Sequence, residues 1–184
     1  MPSKRKPERR TTGMINYIQK VLVFIFLLLL QVFIVGKLNI NPLIQPNILL
    51  LFFLTLPVDL KPVPTLLIGF TGGLLLDMFN NSAGFNSTAL LIMSYARIYY
   101  VRSFARIDIL ESGIEPGLST IGYRWFIIYA AVMVSIYHLV YAFIESFSFR
   151  YIPENILSAL LSGAVSLALI VLFQILFYRT RSKQ

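Results

Sequence analysis

The sequence predicts an all-α integral membrane protein with six transmembrane helices, and three observations lead to that expectation. Of the 184 residues, 57% are hydrophobic and only 13% are charged, which is about half the charged share of an ordinary soluble domain. Apolar runs recur along the chain with short polar turns between them. Basic residues gather at the ends of the chain and in one loop, beside the apolar runs, as they do in membrane proteins.

A basic tail precedes the first run. Residues 1–13 are polar and basic and are expected to be a disordered cytoplasmic tail, ahead of a single membrane domain over residues 14–184. The run Ile15–Val35 is long enough to span a bilayer, which takes about 20 residues. No small-residue cleavage site follows it, so the sequence predicts an anchor rather than a removed signal peptide.

The next three runs are shorter, and the second to fourth helices are therefore expected to be short. They are Pro46–Val58, Pro64–Phe79 and Ser87–Val101. The first two are joined by a turn, residues 59–62, that ends in proline. Short runs can cross with little tilt, can thin the bilayer, or can form a hairpin buried in protein.

One sizeable loop and two long runs complete the chain. In the loop Arg102–Tyr123, apolar residues recur at spacings of three and four between Phe104 and Ile114. This pattern is typical of an amphipathic helix on the membrane surface, and a solvated loop with a few buried anchors is the alternative. The runs Trp125–Phe147 and Ile156–Phe177 are each long enough for a full crossing.

The basic residues predict the orientation. Six crossings put both ends of the chain on one side, and fourteen of the sixteen lysines and arginines then fall on that side. Only Lys37 and Arg150 fall on the other side. Because basic loops stay in the cytoplasm, we expect both termini to be cytoplasmic.

Composition and motifs also narrow the class of function. The absence of cysteine excludes disulfides and thiolate chemistry, and one histidine makes a metal site improbable. The net charge of +8 is distributed as membrane orientation requires, which argues against nucleic-acid binding. The sequence contains no nucleophile elbow, phosphate-binding glycine loop or catalytic carboxylate pair.

Asp77 is the most informative polar residue. It closes a glycine-rich run in which Gly69, Gly73 and Asp77 are spaced by four and so share one helix face. Small residues on such a face let another backbone approach closely. The carboxylate is interpreted either as part of an outward-facing cavity or partner site, or as an acid in a loop just past a helix end. A carboxylate at the C-terminus of its own helix is disfavoured by the helix dipole.

His138 and Glu145 form a second candidate pair. They are seven residues apart on one face of the fifth run, with Tyr141 between them. Such a set can relay protons in a membrane protein. The structural alternative is a histidine hydrogen-bonded between helices and a glutamate at the outer interface, and no second buried acid completes a pathway.

Two further patterns involve small residues and cations. Ser158, Ser162 and Ser166 are spaced by four in the sixth run, which indicates close helix packing inside the protein or a docking face for another helix. Arg97, Arg124 and Trp125, with Tyr99, Tyr100 and Arg102, are expected to form a cytoplasmic belt of cations and aromatics. Such a belt anchors a protein at the interface and can also bind anionic lipid or a partner loop.

The order of these elements resembles the MreD family of rod shape-determining membrane proteins, over nearly the whole chain from Met14 onward. Several local strings carry the resemblance, and Gly84 accompanies the glycine-to-aspartate segment. These strings are Leu29–Phe33, Asn41-Pro42, Leu56-Pro57, Gly69–Asp77, Tyr123–Phe126, His138 and Glu145–Phe147.

The resemblance implies a non-enzymatic membrane scaffold of the cell-elongation (rod) complex, which directs lateral peptidoglycan synthesis and maintains rod shape. It implies MreC as a partner, with RodA, the elongation-specific penicillin-binding protein, MreB and membrane lipids as further partners, and no cofactor. Location would be the cytoplasmic (inner) membrane. It also implies a fold similar to the substrate-binding components of energy-coupling-factor transporters, which makes a small-molecule-binding transporter component the alternative function. A lipid-modifying enzyme is the third class of function.

Overall fold

Over the residues that the computed structural model describes, 8–37, 44–104, 113–146 and 152–181, the protein is all-helical. Three of its helices (α3, α5 and α6 below) are long and apolar enough to cross a membrane, in keeping with a helical membrane protein. The elements of these residues are α1 (Glu8–Phe33), a 3-10 turn (Val35–Lys37), α2 (Leu50–Leu54), α3 (Pro62–Asn80), α4 (Phe85–Phe104), α5 (Tyr123–Ser146) and α6 (Ile152–Arg181).

The helices from α3 to α6 run in alternate directions, and α1 runs in the same direction as α3, which gives the bundle two ends. The cavity end holds the C-terminal ends of α1 and α5 and the turn between α3 and α4, and the loop end holds residues 113–122. Near the loop end Lys20 of α1 forms an ion pair with Glu115 at 3.0 Å, and Gln174 of α6 lies beside Gly117. The N-terminal half of α1 and the C-terminal half of α6 therefore approach the same end of the bundle.

The third and fourth helices are longer than expected, so that part of the prediction is corrected. Helix α3 has 19 residues and α4 has 20, which at 1.5 Å per residue is about 30 Å each. Helix α3 begins two residues earlier because Pro62 occupies its first position, where proline is tolerated. Helix α4 continues past Val101 through polar residues to Phe104.

The second helix is much shorter than a crossing, which corrects the expectation of a second transmembrane helix. Helix α2 has five residues and is about 7.5 Å long, whereas the hydrocarbon core of a bilayer is about 30 Å thick. The residues before it, 44–47, have no regular secondary structure. Pro46 and Pro57 flank the helix and limit its length, because proline cannot continue a helical hydrogen-bond ladder.

The segment that contains α2, residues 44–57, still runs through the bundle lengthwise and is called the central segment. Near its start, Gln45 bonds to Glu145 close to the C-terminus of α5. Near its end, the carbonyl of Leu54 accepts a hydrogen bond from Tyr129, close to the N-terminus of α5. Tyr129 and Glu145 are about 24 Å apart along a helix. Irregular backbone at membrane depth is tolerated where protein surrounds it, as it does here.

The central segment forms the core of the domain. Five of its apolar side chains have no exposed surface: Ile48, Leu49, Leu50, Phe53 and Leu54. An apolar run that is buried on every side, and not on one stripe, belongs to the centre of a helical protein. The other helices surround it, and their outward faces carry large exposed apolar side chains.

The glycine face of α3 packs closely against another helix, as the spacing of the glycines predicts, and that helix is α4. A Cβ atom on Gly73 would lie 2.7 Å from the backbone oxygen of Asn86, and one on Gly69 would lie 3.0 Å from the Cβ of Ser94. Both distances are shorter than van der Waals contact. The two helices can therefore meet this closely only because these positions lack side chains.

Two predicted segments are only partly described. Helix α1 begins at Glu8 and so includes residues 8–13 of the expected tail, whose first seven residues lie outside the described part of the chain. Most of the proposed amphipathic loop, including Ile107 and Leu110, lies outside the described residues.

The orientation of the bundle can be tested by cysteine labelling, because the chain has no native cysteine. We expect Ala83→Cys, in the exposed turn at the cavity end, to react with an impermeant maleimide from outside the cell. Ser119→Cys at the loop end and Ser182→Cys should react only after the membrane is opened, because the basic residues predict a cytoplasmic loop end. Labelling of Ser119→Cys but not Ala83→Cys in intact cells would reverse the orientation.

Candidate functional site

Asp77, the residue singled out from the sequence, caps the helix that follows it. Its Oδ1 accepts a hydrogen bond from the backbone N–H of Asn86 at 2.9 Å, and its Oδ2 accepts one from the N–H of Ser87 at 2.9 Å. The Ser82 hydroxyl and the Asn86 side-chain amide, at 3.0 Å, also donate to Oδ1. These backbone donors belong to the first turn of α4, where a helix lacks internal acceptors and favours negative charge.

This arrangement explains how a carboxylate is tolerated at the C-terminal end of α3. The dipole of α3 disfavours the charge, but the N-terminus of α4 lies beside it and favours it. Asp77 is 3% exposed and is not among the residues that line the cavity described below. It therefore joins α3 to α4, and its position does not make it a ligand-binding carboxylate of that cavity.

Gly84 supports the same helix start. It has a φ of +88°, a conformation that glycine adopts without steric cost. Its carbonyl accepts hydrogen bonds from the hydroxyls of Ser87 at 3.0 Å and Thr88 at 2.9 Å. Asp77 and Gly84, which the sequence places in neighbouring segments, are thus parts of one turn structure.

Tyr137 connects this turn to the central segment. Its hydroxyl donates to Asn86 Oδ1 at 2.6 Å and accepts from Asn47 Nδ2 at 2.7 Å. All three residues are buried. A continuous set of hydrogen bonds therefore runs from Asp77 through Asn86 and Tyr137 to Asn47.

Gln31 of α1 replaces the backbone partners that the central segment lacks before α2. Its side-chain oxygen accepts from the N–H of Ile48 at 2.8 Å, and its side-chain nitrogen donates to the carbonyl of Pro46 at 3.0 Å. Asn47 adds a third contact, because its own side chain accepts from the N–H of Leu49 at 3.0 Å. These contacts satisfy backbone groups whose burial without partners would be costly.

The serine stripe of α6 does the same on the opposite side of the segment. Ser162 Oγ accepts from the N–H of Gln45, and Ser166 Oγ accepts from the N–H of Asn47, both at 2.9 Å. The stripe was interpreted as a packing face or a docking face for another helix. Two of the three serines bind backbone groups of the same chain, as expected if the stripe packs inside the protein.

His138 belongs to the same network. Its Nε2 lies 2.8 Å from Ser166 Oγ, and Ser166 donates its single hydroxyl hydrogen to the carbonyl of Ser162 at 2.7 Å. Nε2 must then carry a proton and donate to Ser166.

Glu145 is separate from His138. It is exposed, and its two carboxylate oxygens lie 3.0 and 3.4 Å from Gln45 Nε2. No hydrogen bond joins His138 to Glu145 within the part of the chain that the structure describes, although both face the same end of the bundle. This arrangement matches the alternative to a proton relay, in which the histidine bonds between two helices and the glutamate lies at the surface.

Arg97 lies in the interior and not in the expected belt, which corrects that prediction. It is 3% exposed; its Nε donates to the Tyr129 hydroxyl at 2.9 Å, and its Nη2 donates to the carbonyl of Leu56. Tyr129 in turn donates to the carbonyl of Leu54 at 3.2 Å. A cation is favoured at the C-terminus of a helix. Arg97 therefore supplies a donor to the backbone that follows α2, just as Gln31 supplies partners to the backbone before it.

The other belt residues lie at the surface of the loop end. Arg124 and Arg102 are exposed. Trp125 is half-buried, donates from Nε1 to the carbonyl of Phe104 at 3.3 Å and stacks on Tyr129 at 5.0 Å. These residues therefore lie at the surface of one end of the bundle, as the predicted belt requires.

A cavity of about 520 Å³ opens above the polar network at the cavity end. Aromatic side chains from α4 and α5 form part of its wall, and Glu145 supplies the one formal charge among the described residues that line it. Six side-chain amides also line it: Gln31, Gln45, Asn47, Asn80, Asn81 and Asn86.

Most of the polar network was not predicted from the sequence. Gln45, Asn47, Asn86 and Tyr137 were not singled out, and Gln31 appeared only within one of the strings on which the family resemblance rests. The available signal was a side-chain amide within or beside an apolar run, which must find a partner when it is buried.

Comparison of the chain with protein-family models, with curated proteins and with solved structures finds no match.

Proposed function

We propose that this chain is a non-enzymatic membrane scaffold of the bacterial cell-elongation (rod) complex, like the MreD proteins that its sequence resembles. It binds MreC and supports lateral peptidoglycan synthesis, with RodA, the elongation-specific penicillin-binding protein and MreB as further partners. In this proposal the chain crosses the cytoplasmic membrane six times with both termini in the cytoplasm. Five crossings are helices, and the central segment makes the other.

The division of the molecule into a self-bonded polar interior and an apolar outside is the observation that carries this proposal. Asp77, Arg97 and His138 bond to backbone or side chains of the same domain. Among the described residues, no buried side-chain nitrogen or oxygen lacks a hydrogen-bond partner. Polar groups that are used in this way stabilise a rigid body, and they leave the exposed helix faces as the surfaces that can recognise other membrane proteins.

The outward face of α3 illustrates such a surface. Leu67, Phe70, Leu74 and Met78 are exposed, on the side of the helix away from the glycines that contact α4. Exposed apolar side chains suit lipid equally well, so the partner assignment rests on the sequence resemblance. We also propose, from the same resemblance, a fold similar to the substrate-binding components of energy-coupling-factor transporters.

Depletion of the chain from its native cells tests the proposed function. We expect rod-shaped cells to widen and become round as the protein is lost, and the parent chain expressed from a plasmid to restore rod shape. Cells that keep their rod shape after complete depletion would contradict the scaffold proposal. Protein levels must be matched by immunoblot so that the comparison reports function.

A small-molecule-binding component of a transporter is the second candidate function. The cavity of about 520 Å³ favours it, because its volume lies within the range of ligand pockets. A cavity alone does not establish transport, since one fold supports several functions. The scaffold proposal and this alternative differ in the partner that should co-purify with the chain.

A further inference from the structure

We propose that the cavity at the cavity end binds a small organic ammonium compound, held by the Glu145 carboxylate and the aromatic side chains beside it. This site goes beyond the scaffold function and does not depend on it. It would be present whether the chain gathers wall-synthesis partners or serves a transporter.

The sign of the charge selects a cation. The chain as a whole carries a net charge of +8, yet the formal charge among the described residues that line the cavity is the negative charge of Glu145. Gln45 donates to this carboxylate at 3.0 Å, but an amide does not neutralise it. A bound cation would form an ion pair with this carboxylate.

The aromatic wall favours an ammonium group over a metal ion. Tyr141 is one helical turn from Glu145 on the same face of α5. Its ring lies between those of Tyr137, with centroids 6.1 Å apart, and Phe85, with centroids 6.3 Å apart. Aromatic faces attract organic cations at distances of about 6 Å, whereas a metal ion prefers several oxygen ligands. Among the described residues no group of three acidic or histidine side chains could hold a metal.

His138 adds a hydrogen-bond acceptor to the same wall. Because its Nε2 donates to Ser166, the neutral imidazole has its free lone pair on Nδ1. His138 also lines the cavity. A carboxylate and a neutral imidazole nitrogen are both acceptors, so this wall is suited to a ligand that donates, such as an ammonium or a neighbouring hydroxyl.

The amide side chains accommodate the polar remainder of the ligand. Asn80 and Asn81 lie at the exposed rim on the turn after α3, and amides both donate and accept. Two sources supply this chemistry at a membrane surface: a free amino compound and the headgroup of a zwitterionic phospholipid. The experiment has to separate them.

Thermal unfolding of the purified full chain in phosphatidylglycerol nanodiscs provides the test. Choline is the probe, and 3,3-dimethylbutan-1-ol, its uncharged isostere, is the control. We expect choline to raise the melting temperature in a saturable manner and the isostere to have no effect. The titration is then repeated in nanodiscs that contain phosphatidylcholine. A persistent response to free choline identifies a solute site, and a raised melting temperature with no further response identifies the lipid headgroup.

Two substitutions locate the site. Glu145→Gln should weaken choline binding about tenfold or more, the equivalent of about 1.4 kcal/mol, while the unliganded melting temperature stays near that of the parent because Glu145 is exposed. Tyr141→Leu, which removes the ring and keeps the charge, should also weaken binding. Glu154→Gln is the matched control, since Glu154 is an exposed carboxylate on α6 that does not line the cavity.

Three results would overturn the proposal. They are an isostere that binds as tightly as choline, a choline affinity that neither Glu145→Gln nor Tyr141→Leu alters, and the absence of any response to choline in both kinds of nanodisc. The second variant keeps the test decisive if the first one fails to fold.

Discussion

Gly73→Leu is expected to lower the stability of the domain more than any substitution on the exposed side of α3. A Cβ at this position would lie 2.7 Å from both the backbone oxygen of Asn86 and the backbone nitrogen of Ser87. Overpacking usually costs about 1–3 kcal/mol, and here the obstacle is the first turn of α4, which cannot move aside without breaking the cap on Asp77. We therefore expect a loss of about 3 kcal/mol or more.

The melting temperature of the detergent-purified variant measures this effect. At roughly 2–4 °C per kcal/mol for a domain of this size, the decrease should be roughly 6 °C or more. Leu74→Phe is the control, because it adds bulk at the adjacent position on the exposed side of α3 and should change the melting temperature little. A Gly73→Leu variant as stable as the parent would show that this face does not contact α4.

Asp77→Asn is the second substitution with a large expected effect. The asparagine keeps the shape of the side chain but replaces one acceptor oxygen with an NH₂ group. That group would face the N–H of Asn86 or Ser87, and a buried donor without a partner costs about 1–3 kcal/mol. Loss of the charge at the α4 N-terminus adds about 0.3–1 kcal/mol.

Comparison with Asp59→Asn separates this role from a general effect of charge. Asp59 is exposed in the turn before α3, and its substitution should cost no more than about 0.5 kcal/mol. We expect Asp77→Asn to have a lower melting temperature and to restore cell shape less well than Asp59→Asn at matched protein levels. Equal stability and equal, normal cell shape for the two variants would remove Asp77 from the functional residues.

A close-packed glycine face on α3 was predictable from the sequence, whereas the helix that packs on it and the partner of Asp77 were not. The spacing of Gly69, Gly73 and Asp77 places them on one helix face without any knowledge of tertiary structure. From the sequence, only the dipole of the helix that contains Asp77 could be assigned to it. The favourable dipole belongs to the next helix, whose start depends on the geometry of the turn at Gly84.

The central segment shows why an apolar run does not define a helix. The run within Pro46–Val58 has the composition of a membrane helix, and its burial was predictable from that composition. Its backbone conformation depends on Gln31, Ser162 and Ser166, which are distant in sequence and bond to it only in the folded protein. Local propensity cannot reveal partners of this kind.

Arg97 illustrates the limit of counting charges. The positive-inside rule treats every arginine near a helix end as exposed on the cytoplasmic side. Arg97 contributes to that count, yet it is buried and bonds to the carbonyl groups of Leu56 and Pro57, which follow α2. The need for such a cation arises only because α2 ends inside the protein, which the sequence did not predict.

The recovery of partners from native membranes tests the scaffold proposal most directly. The tagged chain is purified in a mild detergent from its native cells, and co-purifying proteins are identified by mass spectrometry against an untagged control. The account predicts recovery of an MreC-like protein with a single membrane span. Recovery of a transporter ATPase module, together with a tightly bound small molecule and no MreC-like protein, would contradict it.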